Sequence, residues 1–431
     1  MNRTKQIFIL GFAIFASFFG AGNLILPPML GFKGGPDWWL VAIGFLISAT
    51  VIPLLALLGH ARLQGTMIDF GKKVSVRFGI LFSICVYLIA IILACPRTAA
   101  VTHEMAIQPY FEFTSLMTSS IYFSAVFVFA VNRGKVMDFL GKYLTPIIVV
   151  ILLIIICIGM YTPSDPMLPG QYNGPLIKGF LEGYQTYDAI AGLVVGGIIV
   201  LNVNNLVGEL NVAEKRFVIV KSSLIALTGL FVIYVGLIFI GSKFNTEFPV
   251  DISRPQLLSS LAAITLGNFG SAFLAVLVAV ACFTTAVSIV VGTADFFKGL
   301  FNNNHFAYLI TAAVSCLFGI LVGQFPVKFI IDLAVYALMF IYPLGISLIM
   351  LNLLSEKYAS PTVFRIVVGL AFLFSIPDFL KFLIPVEKLE FLYAIIPFSR
   401  DGLGWVLPAV IGFVLANSYV KIQNNREGTA S

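Results

Sequence analysis

Residues 16–28 read Ala16-Ser17-Phe18-Phe19-Gly20-Ala21-Gly22-Asn23-Leu24-Ile25-Leu26-Pro27-Pro28. They sit inside an apolar run from Ile7 to Leu30, long enough to cross a hydrocarbon core, which takes roughly 20 residues. Small residues in mid-span are followed by an asparagine, more apolar residues, and a proline pair expected to stop the helix. A break facing lipid would leave backbone groups unpaired, so this one must face protein, water or ligand. Gly20-Ala21-Gly22 suits close helix packing as well as binding. Asn23 favours a site, because an amide buried in the membrane needs partners.

The rest of the chain gives that helix its setting. Of 431 residues, 59% are hydrophobic and 11% charged, with a mean hydropathy of +1.01. An ordinary soluble domain is much more charged. Apolar segments bounded by charge, Gly or Pro clusters fall at 7–30, 38–60, 80–102, 114–131, 144–161, 187–204, 218–241, 268–294, 306–323, 329–353, 362–380 and 404–420. The expected fold class is therefore an all-α polytopic membrane protein of about 12 transmembrane helices, with 1–431 forming a single transmembrane transporter domain. Loops near 162–186, 242–267 and 381–403 are too short to hold a soluble core.

Most of the 26 Lys and Arg fall on one set of alternate loops and termini, including Arg3, Lys5, Arg62, Lys72, Lys73, Arg77, Arg133, Lys135, Lys142, Lys215 and Arg216. By the positive-inside rule that set is cytoplasmic, which puts both termini inside and makes the helix number even. The same bias explains the +6 net charge without nucleic acid. Arg3 and Lys5 precede the first run as they would in a signal peptide. Its length and Pro27-Pro28 ending, with no small-residue cleavage site, point to a retained first helix. The five cysteines, Cys85, Cys95, Cys157, Cys282 and Cys316, lie in apolar segments without paired spacing and suggest neither disulfides nor a metal site.

A second interrupted helix opens with Gly183-Tyr184-Gln185-Thr186-Tyr187-Asp188-Ala189-Ile190-Ala191-Gly192. It is the sixth segment, five after the first, the spacing that an inverted five-helix repeat predicts, with substrate held between the breaks. Half-helix amino ends suit an anionic group such as a carboxylate, and unwound carbonyls suit a small cation. In the eighth segment Thr284 and Thr285, with the carbonyl of Ala281, place three hard oxygens in one turn, chemistry that suits Na⁺. Such hydroxyls also commonly bond their own helix. Arg97 and Asp188 are the intramembrane charges. Snorkelling from the outer end of the third helix accounts for the first as well as substrate contact does, and helix capping for the second. Glu104, Asp295, His60, His103 and His305 read as interfacial. Walker A, G-x-S-x-G, H-E-x-x-H and C-x-x-C motifs are absent, so no enzyme and no ATP-driven pump is expected and no cofactor is called for.

The stretches 20–28, Pro96-Arg97-Thr98-Ala99, 183–188 and Thr285-Ala286-Val287 together resemble the bacterial branched-chain amino acid:cation symporter family. That resemblance implies the leucine-transporter (LeuT-like) fold. Its inverted repeats would lie approximately at 7–161 and 187–353, with two C-terminal helices in 362–420. It further implies the cell inner membrane as location and symport of leucine, isoleucine and valine with Na⁺. On the resemblance, amides of Gly20, Ala21 and Gly22 bind the substrate carboxylate and Asn23 orders the break. Tyr187, Asp188, Ala189 and Gly192 receive the amino group and line the pocket, and Tyr87 lids it. Sodium is assigned to Ala16, Phe19, Ala281, Thr284 and Thr285. No lysine lies deep in the fifth segment, Lys142 being at its mouth, which favours a free cation over a built-in one. Its partners would be substrate, Na⁺ and the lipid bilayer, with no protein partner implied. The alternatives are a same-fold carrier for another neutral amino acid or a nucleobase, possible proton coupling, and a non-transporting sensor, against which the short tail after Val420 argues.

Overall fold

Long apolar helices broken at chosen points organise the chain. The computed structural model describes residues 3–132, 135–207 and 212–428. Eighteen helices follow one another: α1 (Arg3–Phe18), α2 (Ala21–Gly34), α3 (Trp38–Leu46), α4 (Ile52–Leu63), α5 (Met67–Gly71), α6 (Val76–Ile89), α7 (Cys95–Thr102), α8 (Ser115–Val131), α9 (Lys135–Tyr161), α10 (Pro175–Glu182), α11 (Asp188–Val207), α12 (Val212–Lys243), α13 (Arg254–Leu300), α14 (His305–Gly323), α15 (Val327–Leu353), α16 (Pro361–Leu380), α17 (Glu390–Ile395) and α18 (Val406–Gly428). Among the described residues, nine helical stretches are long and apolar enough to cross a membrane, and Thr4–Phe18, Ser115–Val131 and Asp188–Gly197 are shorter apolar helices. The short ones include one helix beside each break, α1 and the start of α11. The side chains of Lys135 and Lys142, and the whole of Arg133, lie outside the described residues.

The outer surface is apolar, as lipid requires: Phe12, Phe269 and Leu415 are each more than 60% exposed. Inside, one large apolar cluster gathers α1, α2, α9, α12 and α13, and a second gathers α4, α11, α15 and α16. Phe19 and Ala281 belong to the first cluster, Tyr184, Tyr187 and Ala189 to the second, so the two helix breaks meet where the cores adjoin.

Three features differ from the sequence expectation. Pro27 and Pro28 do not stop the first helix; they lie inside α2, which runs on to Gly34. Burial of Leu24, Ile25, Leu26, Met29 and Leu30 outweighs the missing N–H groups, and α12 packs closely along this face. At that contact Gly31 lies against the Ile238 carbonyl and Gly241 against the Pro28 carbonyl, an approach only glycine permits. The loop expected at 162–186 contains α10, too short and charged for hydropathy to reveal. The loop expected at 242–267 contains the first turns of α13, capped by a Ser253–Gln256 box and bent at Gly267, φ +73°.

Candidate functional site: two facing helix breaks

At the first break the α-ladder ends because its donors change partners. Gly20 N–H donates to Phe18 O at 3.0 Å, and Asn23 N–H to Gly20 O at 3.1 Å. A continued helix would instead have used the carbonyls of Ala16 and Phe19, two of the expected cation ligands. Gly20 is extended and offers no side-chain cap, so the amino end of α2, with Ala21 and Gly22, opens onto the break.

The second break is tighter. A 3₁₀ turn over Gly183–Thr186 ends at Tyr187, held at φ +65°, and α11 starts at Asp188. Left-handed backbone at a bulky residue costs about 1–3 kcal/mol and persists only where its surroundings fix it. Here the Arg97 guanidinium lies 5.0 Å over the Tyr187 ring.

Side chains tie the breaks together. Asn23 Nδ2 donates to Asp188 Oδ2 at 2.7 Å and also to the Tyr234 hydroxyl oxygen. Tyr234 in turn donates to Asp188 Oδ2 at 3.4 Å. Asp188 is thus more than a helix cap: its carboxylate joins α2, α11 and α12. Arg97 does not snorkel. It is 6% exposed, its Nη1 donates to Gln185 O at 2.6 Å, and its Nη2 lies against Gly22, where an added Cβ would meet it at 2.5 Å. The hydroxyl of Tyr187 and Nε of Arg97 are buried without hydrogen-bond partners.

Facing the first break from α13, the hydroxyls of Thr284 and Thr285 both donate to Ala281 O at 2.9 Å. A Cβ on Gly20 would stand 3.7 Å from Thr285 Oγ1. The self-bonding expected of membrane threonines therefore holds, and it gathers three oxygens beside the break. This donor set, carbonyls and hydroxyls without sulfur or imidazole, fits a hard monovalent ion.

Two expected site residues lie elsewhere. Tyr87 stacks on Phe296 at 4.3 Å, about three turns of α13 beyond Thr284, and does not lid the break. Gly192 packs against Pro53 O and Ala56, both 3.0 Å from an added Cβ, so it serves α4–α11 packing rather than a pocket wall. Ala189 is buried in the same cluster as Tyr187 and Tyr342. Two residues read as interfacial are buried: His60, between Gly65 O at 2.9 Å and Leu193 O at 2.7 Å, and His103, on Thr118; Glu104 is half-buried and accepts from Val327 N–H at 2.8 Å.

The sequence also left unmarked Tyr342, stacked on Tyr184 at 4.1 Å, and a polar relay above the second break. Gln185 Nε2 donates to Glu182 Oε2 at 2.8 Å. Arg254, at the head of α13, donates to Gln185 Oε1 at 2.6 Å and pairs with Glu182 at 3.1 Å. Lys178 approaches Glu182 at 3.3 Å. Beside this group burial, with the Glu182 charge, pushes the Tyr172 phenol up. Two π-helical turns, Ile47–Val51 and Ala90–Ala94, flank the site, and Ser48 of the first abuts Gly183. Such turns recur at functional sites, but nothing in their composition announces them.

The sequence profile described as "branched-chain amino acid transport protein" matches residues 3–423. The chain belongs to that family. Among curated members, it is 34% identical over 422 residues to the branched-chain amino acid transport system 2 carrier protein of Pseudomonas aeruginosa, covering 95% of each chain. It is 33% identical to the branched-chain amino acid permease BraB of Bacillus subtilis, covering 95% of this chain and 94% of that one. Among solved structures, a nucleobase-cation-symport-1 family transporter in a closed conformation, with bromovinylhydantoin bound, superposes with a TM-score of 0.60 at 12% identity over 96% of this chain and 92% of that one. A manganese transporter of Eremococcus coleocola gives 0.57 at 14% identity, over 98% and 96%. At such identities the likeness establishes the fold alone, which is LeuT-like. This member of the branched-chain amino acid transport family is therefore a multi-pass membrane transport protein and not an enzyme.

Proposed function

We propose that the chain is an alternating-access symporter of the bacterial inner membrane that imports leucine, isoleucine and valine with a cation, Na⁺. The observation that carries this is the tie between the two breaks, Asn23 to Asp188, in a chain of this family. Substrate lies between the breaks: its carboxylate toward the amino end of α2 at Gly20, Ala21 and Gly22, and its ammonium toward the carbonyls and Asp188 at the second break. The side chain lies among Tyr187, Ala189 and the apolar residues around them. Na⁺ travels beside it, on the carbonyls of Ala16, Phe19 and Ala281 and the hydroxyls of Thr284 and Thr285. Binding there joins the first break to α13, and occupancy of both sites lets the breaks close around substrate. Both termini are cytoplasmic on this reading, and the inverted repeats span approximately 7–161 and 187–353.

The test is uptake of radiolabelled leucine into proteoliposomes of purified protein under an inward Na⁺ gradient, an inward proton gradient, or neither. Concentrative uptake only with Na⁺, competed by isoleucine and valine, is expected. Accumulation under the proton gradient alone would replace the ion, and equilibration without a gradient would make the protein a facilitator.

A further inference from the structure

We infer that Arg97 is the residue that grips the substrate carboxylate, and that Gly22 exists to let its guanidinium reach it. This rests on the amino-acid carrier reading above and adds a side chain to it. A charged group at mid-membrane costs at least roughly 2.5–3.5 kcal/mol on insertion scales and is met by an opposite charge, by backbone carbonyls or by a polar cavity. Among the described residues Arg97 has no carboxylate ion pair. The Asp188 carboxylate at the same break takes its hydrogen bonds from Asn23 and Tyr234. What Arg97 does have is one bond, from Nη1 to Gln185 O at 2.6 Å, and a face on Tyr187. Its Nε is buried and unpartnered.

Its position sharpens the point. Nη2 lies against Gly22, the second residue of the 14-residue α2, whose cap residue Gly20 supplies no side-chain acceptor. The positive pole of a helix and a guanidinium are thus brought face to face, an arrangement that repels unless an anion sits between them. A carboxylate is the anion that an amino acid brings, and the guanidinium fork matches it in a way an ammonium would not. Any residue at 22 larger than glycine would occupy the space Nη2 takes.

The rival role is purely structural, with Arg97 only satisfying the Gln185 carbonyl at the break. Leucine and leucine methyl ester, which keeps the ammonium and side chain but lacks the carboxylate charge, separate the two. Binding of each is measured as ligand-induced thermal stabilisation of purified wild type, Arg97→Gln, Arg97→Lys and Gly22→Ala. If Arg97 holds the carboxylate, the preference for leucine over the ester falls at least about 30-fold in Arg97→Gln, the lower end of what removing one member of a buried hydrogen-bonded charge pair costs. Arg97→Lys falls between, and Gly22→Ala, which displaces the guanidinium without altering it, shows the same selective loss. An unchanged preference, whether both ligands weaken together or neither does, overturns the inference. Should both Arg97 variants fail to fold, Gly22→Ala decides alone by the same ratio. If the wild type is stabilised by none of leucine, isoleucine and valine, the carrier reading and this inference fall together; if the wild type binds leucine and the ratio does not move, only the inference falls.

Discussion

The tie between the breaks can be measured directly, by a double-mutant cycle on Asn23→Ala and Asp188→Ala. Hydrogen bonds between membrane helices contribute about 0.6 kcal/mol on average and at most about 1.7. The bond from Asn23 to Asp188 ends on a carboxylate at 2.7 Å with both residues 2% exposed, and charge-assisted bonds are roughly twice as strong as neutral ones. The coupling should therefore fall near the upper end, about 1.5 kcal/mol, or about tenfold in an equilibrium constant. Tyr234 caps the value, since it touches both partners and keeps the survivor of either single change from complete isolation. Asn23→Ala alone leaves a buried carboxylate with one phenol donor, whereas the double variant removes that orphaned charge. The double variant should thus be hardly less stable than the worse single one. Unfolding free energies in mixed detergent micelles give all four corners. Additivity within about 0.4 kcal/mol, the scatter of independent sites, would mean that the breaks are not joined through this pair.

Three further outcomes follow from the geometry. Thr284→Ala with Thr285→Ala should raise the Na⁺ concentration for half-maximal leucine uptake at least about tenfold, the smaller end of losses on disturbing an ion's surroundings. Folding should hardly change, because each hydroxyl is bonded only within its own helix; a wild-type sodium response would remove the cation site. Gly31→Ala drives a methyl into the Ile238 carbonyl and should cost about 1–3 kcal/mol or more, while Gly20→Ala, in ordinary contact with Thr285, should cost under about 1. Thermal unfolding with equal losses at both glycines would contradict that ranking. His60→Ala should destabilise the protein by about 2 kcal/mol, since the buried ring links Gly65 O to Leu193 O and packs on Phe70; a loss below about 0.5 would show that water or a neighbour replaces it.

What could be read in the sequence depended on whether a residue carried its meaning alone. Gly20 to Asn23 announced a break because glycine and an amide have no other easy place in an apolar run. The left-handed backbone of Tyr187 was not legible, since a bulky ring is the least expected residue there and the Arg97 guanidinium over it comes from a distant segment. The first half of the sixth helix reads as loop because α10 is short and ends in Glu182, so a hydropathy window passes over it. Pro27-Pro28 shows the opposite case, a local rule outweighed by burial of five neighbours. Tyr87 was placed by depth, and depth along a helix leaves its facing side open. Arg97, three turns further on, turned inward for a reason visible only in three dimensions, the bare Cα of Gly22. The threonines were legible as oxygen donors, but only packing puts Thr285 beside Gly20.

Gln185 touches both ends of the relay. Its backbone carbonyl takes the Arg97 proton donor, and its side chain engages Glu182 and Arg254 at once. Arg254 begins a segment that ends at the Gly267 bend, so that segment is a lever fastened by ions at one end and jointed at the other. Reciprocity then binds the two ends thermodynamically: by whatever factor an occupant at the breaks tightens the Glu182–Arg254 pair, breaking that pair must loosen the occupant. The pair is largely buried, 20% and 9% exposed at its two side chains, and so is screened by salt much less than a surface pair. Removal of the Glu182 charge would in that way be felt as affinity at the breaks, with no group at the breaks altered.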